Sequence, residues 1–84
     1  MNILVVEDDP TQQVILKQVL GKYELFIAGS GEEGLELAAG TDHDLIILDI
    51  NLPGIDGYET CLRLREAEST RKTPIIFLSS YTSL

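Results

Sequence analysis

Ile3-Leu4-Val5-Val6-Glu7-Asp8-Asp9-Pro10-Thr11-Gln12 is the stretch that decides the fold. Four consecutive apolar residues, three of them β-branched, suit a strand buried on both faces, as in a parallel sheet. Three acids end the run, and a helix start follows at once. Asp9 is a good N-cap, Pro10 fits the first helical position, and Gln12 stands where a capping box has its second member. A buried strand, a short acidic turn and a helix make the first half of a βαβ unit.

The same grammar repeats outward along the chain. Val14, Ile15, Val19 and Leu20 supply an apolar helix face, and Gly21 stops it. Leu25-Phe26-Ile27-Ala28 reads as a second strand. Ser30-Gly31-Glu32-Glu33 opens a second helix through about Ala39, with Gly40 as its stop. Leu45-Ile46-Ile47-Leu48 is a third buried strand, ended by Asp49. After the loop Asn51-Leu52-Pro53-Gly54 a third helix runs from about Asp56 to Glu68, and Asp56 can cap it. Pro74-Ile75-Ile76-Phe77-Leu78 is a fourth strand, followed by Ser79-Ser80. The alternation β-α-β-α-β-α-β predicts an α/β fold, a parallel sheet with helices on both faces. Tyr58 and Cys61 are expected in the core, His43 in solvent, and Arg63, Arg65 and Arg71 on a solvated face.

Composition sets the outer limits. Eighty-four residues form one domain spanning 1–84. Fourteen acids against six bases give a net charge of −8. That charge repels a phosphate backbone and an anionic membrane surface, so neither nucleic acid nor membrane is expected as a partner. It favours cations or a basic partner face. The single cysteine, Cys61, allows no intrachain disulfide, and the N-terminus lacks the basic segment of a signal peptide. A cytoplasmic setting is the default.

The chemistry collects at strand ends. Glu7, Asp8 and Asp9 follow the first strand, Asp49 the third and Ser79 the fourth. In a parallel sheet these ends share one edge, and ligands bind there where the strand order reverses. With the first and third strands adjacent, Asp8 and Asp49 lie roughly 5 Å apart. Carboxylates that close repel by roughly 3–4 kcal/mol at an effective dielectric near 20. Such a cluster holds a proton or binds a cation, and oxygen ligands beside a phosphate suit Mg²⁺. A carboxylate beside Mg²⁺ can attack phosphorus and form an aspartyl phosphate. Asp49, single and central at the end of an apolar strand, is the natural acceptor. Glu7 and Asp8 are the natural metal side, and the Ser79 hydroxyl can bond a phosphoryl oxygen.

These residues resemble a known family. Val5-Val6-Glu7-Asp8-Asp9, Leu48-Asp49-Ile50-Asn51-Leu52-Pro53-Gly54-Ile55-Asp56-Gly57 and Thr73-Pro74-Ile75-Ile76-Phe77-Leu78-Ser79-Ser80 look like the receiver domain of bacterial two-component response regulators. The middle stretch is the most specific, an acceptor Asp followed by apolar-Pro-x-apolar-Asp-Gly. The resemblance implies a flavodoxin-like fold with sheet order 2-1-3-4-5. It implies that Asp49 takes a phosphoryl group from the phosphohistidine of a sensor histidine kinase or phosphotransfer protein. Asp8 and Asp49 would ligate Mg²⁺ directly, Glu7 through water and Asn51 through its carbonyl. Ser79 would be the switch hydroxyl and Ser80 the small residue beside the phosphate. Asn51 and Tyr81 fall where family members tune the lifetime of the phosphate. The expected role is a signalling module rather than an enzyme.

The chain departs from the family pattern after the fourth strand. The last helix-strand-helix of a receiver is absent from it, and with it the Lys that pairs with the phosphoryl group; Lys17, Lys22 and Lys72 do not replace it. The fourth strand is then an exposed edge, so self-association through it is expected. The alternative to a phosphorylated receiver is a degenerate one that dimerises or scaffolds. A Mg²⁺-dependent phosphatase would want an acid at position 51, where Asn51 stands. Gly29-Ser30-Gly31-Glu32-Glu33-Gly34 matches the dinucleotide fingerprint in form, yet Glu32 and Glu33 occupy the place of the pyrophosphate.

Overall fold

A computed structural model of the chain describes residues 1–78. Ser79, Ser80 and Tyr81, to which the sequence reading gives roles, lie outside the described residues. Seven elements alternate along the chain: β1 (Asn2–Val6), α1 (Pro10–Val19), β2 (Glu24–Ala28), α2 (Gly31–Gly40), β3 (Leu45–Asp49), α3 (Gly57–Glu66) and β4 (Ile75–Leu78). The four strands form one parallel sheet in the order β2-β1-β3-β4. This is the flavodoxin-like order expected for these strands. The chain leaves β1 to one side for β2 and returns to its other side for β3, so the switch point lies between β1 and β3.

The central strands are the apolar runs. Ile3 to Val6 and Ile46 to Leu48 are buried, as two-sided cover requires. Leu4, Val6, Ile46 and Leu48 turn to one face, where Ala38 of α2 and Leu64 of α3 complete the larger core cluster. Ile3, Val5 and Ile47 turn to the other, against Leu16 and Leu20 of the α1 segment. Helices therefore lie on both faces.

Several local expectations need correction. The inward stripe of α1 is Leu16 and Leu20, whereas Val14, Ile15 and Val19 are exposed. Residues four apart share a helix face, and among the described residues α1 alone covers this side of the sheet, so one narrow stripe is all it buries. Asp9 does cap α1, accepting from the Thr11 N–H at 3.0 Å. Its expected partner Gln12 does not close the box; Gln13 instead donates to the Glu7 carbonyl at 2.6 Å. Gly40 is the last residue of α2 rather than its stop, and Thr41 is the cap. Tyr58 is exposed, its ring 5.6 Å from that of Phe77. His43 is half-buried, edge-on to Phe26 with 5.0 Å between ring centroids. Arg65 is no free surface charge; it donates to the carbonyls of Thr70, Arg71 and Thr73 and so organises the turn that leads into β4.

The loop after β3 needs two glycines. Gly54 has φ of 72°, which a side chain rarely adopts. Gly57 opens α3 against the backbone of β3, where a Cβ would lie 2.7 Å from the Ile50 Cα and closer still to the Asp49 carbonyl oxygen. The Gly57 N–H donates to the Ile50 carbonyl at 2.9 Å, which folds the loop back under Asp49. Gly57→Ala is expected to cost about 1–3 kcal/mol of stability by overpacking. Gly40→Ala, with nothing within 4 Å of the added Cβ, gains up to about 1 kcal/mol. Urea unfolding followed by circular dichroism measures both, and equal effects at the two positions contradict this account of the loop.

Candidate functional site

The turn after β1 and the end of β3 meet at the carboxyl edge of the sheet. Val6 pairs with Leu48, so the residues that follow, Glu7 and Asp49, leave adjacent strands side by side. Each can offer a carboxylate oxygen, as can Asp8, with all three oxygens within 4.8 Å of one another. Glu7 is 1% exposed and Asp49 0%, while Asp8 stands in solvent at the mouth. Charged side chains this buried need a partner.

The protein satisfies them only in part. Glu7 keeps its backbone in the sheet, donating to the Ala28 carbonyl at 2.9 Å. Its carboxylate accepts from the Asp9 N–H at 3.0 Å. The Asp49 Oδ1 accepts from the Asn51 N–H at 3.1 Å. Its Oδ2 is buried and has no hydrogen-bond partner among the described residues. An unpaired buried carboxylate oxygen in a cluster of three acids fits a hard divalent cation with oxygen ligands, and Mg²⁺ binds through one or two such carboxylates. No helix among the described residues is long and apolar enough to cross a membrane.

The neighbouring residues sort themselves around this centre. Asn51 is exposed beside Asp49 and tied to it through its own N–H. β4 runs alongside, with Leu78 in register with Asp49 and its carbonyl accepting from the Ile50 N–H at 3.0 Å. Asp56 is occupied as the cap of α3, accepting from the Glu59 N–H at 2.8 Å. The glycine-rich turn before α2 is closed by the protein itself. Ser30 accepts from the Glu33 N–H, and the Glu33 carboxylate takes the Gly29 N–H at 2.7 Å. Those are donors a pyrophosphate would need, so the dinucleotide match is one of form only. Gln13 is the residue near the site that sequence reasoning missed.

Three acids gathered at the switch point of a parallel sheet in the order 2-1-3-4 define a class, the flavodoxin-like α/β domains with an acidic cluster at the carboxyl edge of the sheet. Comparison with known proteins narrows it. The model of the response regulator receiver domain matches residues 3–84. The transcriptional regulatory protein AfsQ1 of Streptomyces coelicolor is 41% identical over 81 residues, 94% of this chain and 35% of that protein. The cell cycle response regulator CtrA of Brucella ovis is 36% identical over 86 aligned positions, covering the whole chain and 36% of that protein. The chain thus spans about a third of the length of the curated relatives it matches. Among solved structures, chemotaxis protein CheY4 of Vibrio cholerae superposes with a TM-score of 0.90 at 31% identity, over 98% of this chain and 70% of that one. The response regulator TrrA of Thermotoga maritima, solved in complex with Mg²⁺ and BeF, gives 0.87 at 38% identity, over 96% and 70%. The chain belongs to the receiver domain family of two-component response regulators.

The site leaves a mark on stability. Burial pushes the Glu7 carboxyl up from its ordinary value of 4.5 to about 7. The Asp9 N–H pulls the other way, and the charges of Asp49 and Asp8 add to the rise. Between those two values the folded chain holds a proton that the unfolded chain has released. Without divalent cation, the Glu7 contribution is therefore complete at low pH and is lost as pH rises from 4.5 to about 7. It amounts to on the order of 3 kcal/mol. Urea unfolding in EDTA is expected to show Glu7→Gln gaining on the wild type across this window; a gap that stays constant with pH contradicts the assignment.

Proposed function

We propose that this receiver domain is a phosphoacceptor, with Asp49 taking a phosphoryl group from the phosphohistidine of a sensor histidine kinase or a phosphotransfer protein. The observation that carries the reading is the Asp49 carboxylate: fully buried, one oxygen held by the Asn51 N–H, the other free of partners, with Glu7 and Asp8 beside it. A carboxylate so placed is desolvated and aimed from one side, which suits in-line attack on phosphorus. One oxygen of the Asp49 carboxylate forms the new P–O bond as the P–N bond breaks, the other is left to the metal ion, and the imidazole nitrogen leaves with the bonding pair. Glu7, Asp8, Asp49 and the Asn51 carbonyl would hold Mg²⁺. When bound, that ion neutralises charge on the transferring phosphoryl oxygens. The Ser79 hydroxyl, next in sequence after Leu78, is assigned to a phosphoryl oxygen as the switch residue, with Ser80 and Asn51 flanking the phosphate. The complex of TrrA with Mg²⁺ and BeF supports the same reading by family.

Mass spectrometry tests it. The chain incubated with Mg²⁺ and acetyl phosphate is expected to gain one phosphoryl group, and Asp49→Asn none. A folded, Mg²⁺-binding wild type that gains no mass overturns the phosphoacceptor reading in favour of a scaffold.

The partner surface includes a second copy of the chain. Among the described residues no strand pairs with the outer edge of β4. Ile76 on that strand is 50% exposed on the α1 side of the sheet, and Phe77 is exposed on the other side, its ring beside that of Tyr58. An unprotected apolar edge pairs readily. Light scattering at micromolar concentration is expected to report a dimer or larger species for the 84-residue chain, shifted toward monomer by Ile76→Lys. A wild-type monomer contradicts self-association.

A further inference from the structure

The acidic turn carries a support that none of its charged residues supplies. The Glu7 N–H bonds the Ala28 carbonyl at 2.9 Å, so Glu7 is the last residue whose backbone belongs to the sheet. Its own carbonyl points out of the ladder and accepts from the side-chain amide of Gln13, one turn into α1, at 2.6 Å. Gln13 is half-buried, and its backbone N–H bonds the Asp9 carbonyl at 3.0 Å. Glutamine 13 therefore grips the turn at both Glu7 and Asp9, on either side of Asp8.

The consequence falls on Asp8. The Glu7 carbonyl and the Asp8 nitrogen and Cα form one planar unit. Fixing the direction of that carbonyl fixes where the Asp8 Cα stands. With the Asp9 N–H tied to the Glu7 carboxylate and the Asp9 carbonyl tied to the Gln13 N–H, both peptides that flank Asp8 are held, which limits the direction in which its side chain leaves the backbone. Asp8 is exposed, and the hydrogen bonds of the turn go to Glu7 and Asp9 rather than to its carboxylate. Packing does not orient it. A charge-neutral donor is suited to this place, because a cation there would offset the negative charge that draws a metal ion.

We propose that Gln13 is a positioning residue of the cation site: its amide, through the Glu7 carbonyl, sets the Glu7–Asp8 peptide so that the Asp8 carboxylate faces Glu7 and Asp49. The inference rests on the metal-binding part of the phosphoacceptor reading. Residues that orient metal ligands from outside the coordination shell are worth roughly 10–100-fold in affinity.

Mn²⁺ binding to the whole chain, followed by water-proton relaxation, is the test. Gln13→Met keeps the length and helix preference of the side chain and removes the donor; it is expected to weaken Mn²⁺ roughly tenfold. Gln13→Asn keeps the amide but withdraws it by one methylene, and weakens binding in the same direction. Gln12→Met, one position away on α1, binds as the wild type does. In an Asp8→Asn background, Gln13→Met has no further effect, since the carboxylate it orients is gone; a general loosening of the fold would weaken both backgrounds alike. Wild-type affinity in both Gln13 variants, or equal losses with and without Asp8, overturns the proposal. Absence of Mn²⁺ binding by the wild type overturns the metal site itself and this inference with it, whereas phosphotransfer failing with Mn²⁺ binding intact leaves the positioning role standing.

Discussion

Glu7 and Asp49 hold two carboxylates out of water at the ends of neighbouring strands, and Asp8 brings a third to their mouth. At such separations each pair of full charges repels by roughly 3–4 kcal/mol at an effective dielectric near 20. Apolar side chains at 7 and 49 would give a more stable sheet end. The structure keeps the acids and leaves their repulsion for a proton or a cation to relieve; burial raises the Glu7 carboxyl first, and the neighbouring charges of Asp49 and Asp8 add to the rise. Local rules broken in an otherwise consistent fold point to function.

The rest of the molecule can be understood as holding that edge still. Buried apolar runs fix β1 and β3 as central strands, and their adjacency follows from the crossover that sends β2 to the far side of β1. The acidic turn is pinned by caps and by Gln13, the loop after β3 by Gly54, Gly57 and the Asn51 N–H. At the opposite end Arg65 gathers three carbonyls where the chain enters β4, and the Ile50 to Leu78 hydrogen bond fastens that strand beside Asp49. Family membership agrees with a scaffold arranged in this way.

Much of this was legible in the residues alone. Continuous β-branched runs and the alternation of strands with capped helices sufficed for a parallel sheet covered on both faces, because two-sided burial leaves a strong compositional trace; the strand order came only with the resemblance to the receiver family. Glu7, Asp8 and Asp49 were legible for a related reason: acids that interrupt apolar runs at strand ends share an edge in any parallel sheet. What escaped depended on rotation and reach. Leu16 and Leu20 could not be preferred over Val14, Ile15 and Val19 as the inward stripe of α1, since all are apolar and the choice turns on how the helix sits on the sheet. Gln12 and Gln13 are chemically identical neighbours, and only the helix phase brings one amide to the Glu7 carbonyl. Arg65 looks like its neighbour Arg63, which pairs with Glu59 at 3.0 Å on the surface; nothing local marks it as the residue that turns inward to the chain. Tyr58 was expected in the core, yet it is exposed, its ring beside Phe77 of β4, where no further element among the described residues covers the pair.

Anomalous diffraction from crystals soaked in Mn²⁺ tests the convergence of the three acids most directly. The account predicts one strong peak within ligand distance of the Asp8 and Asp49 carboxylates and close to Glu7. A well-ordered site with no peak there, or manganese bound only at surface acids elsewhere, would contradict it.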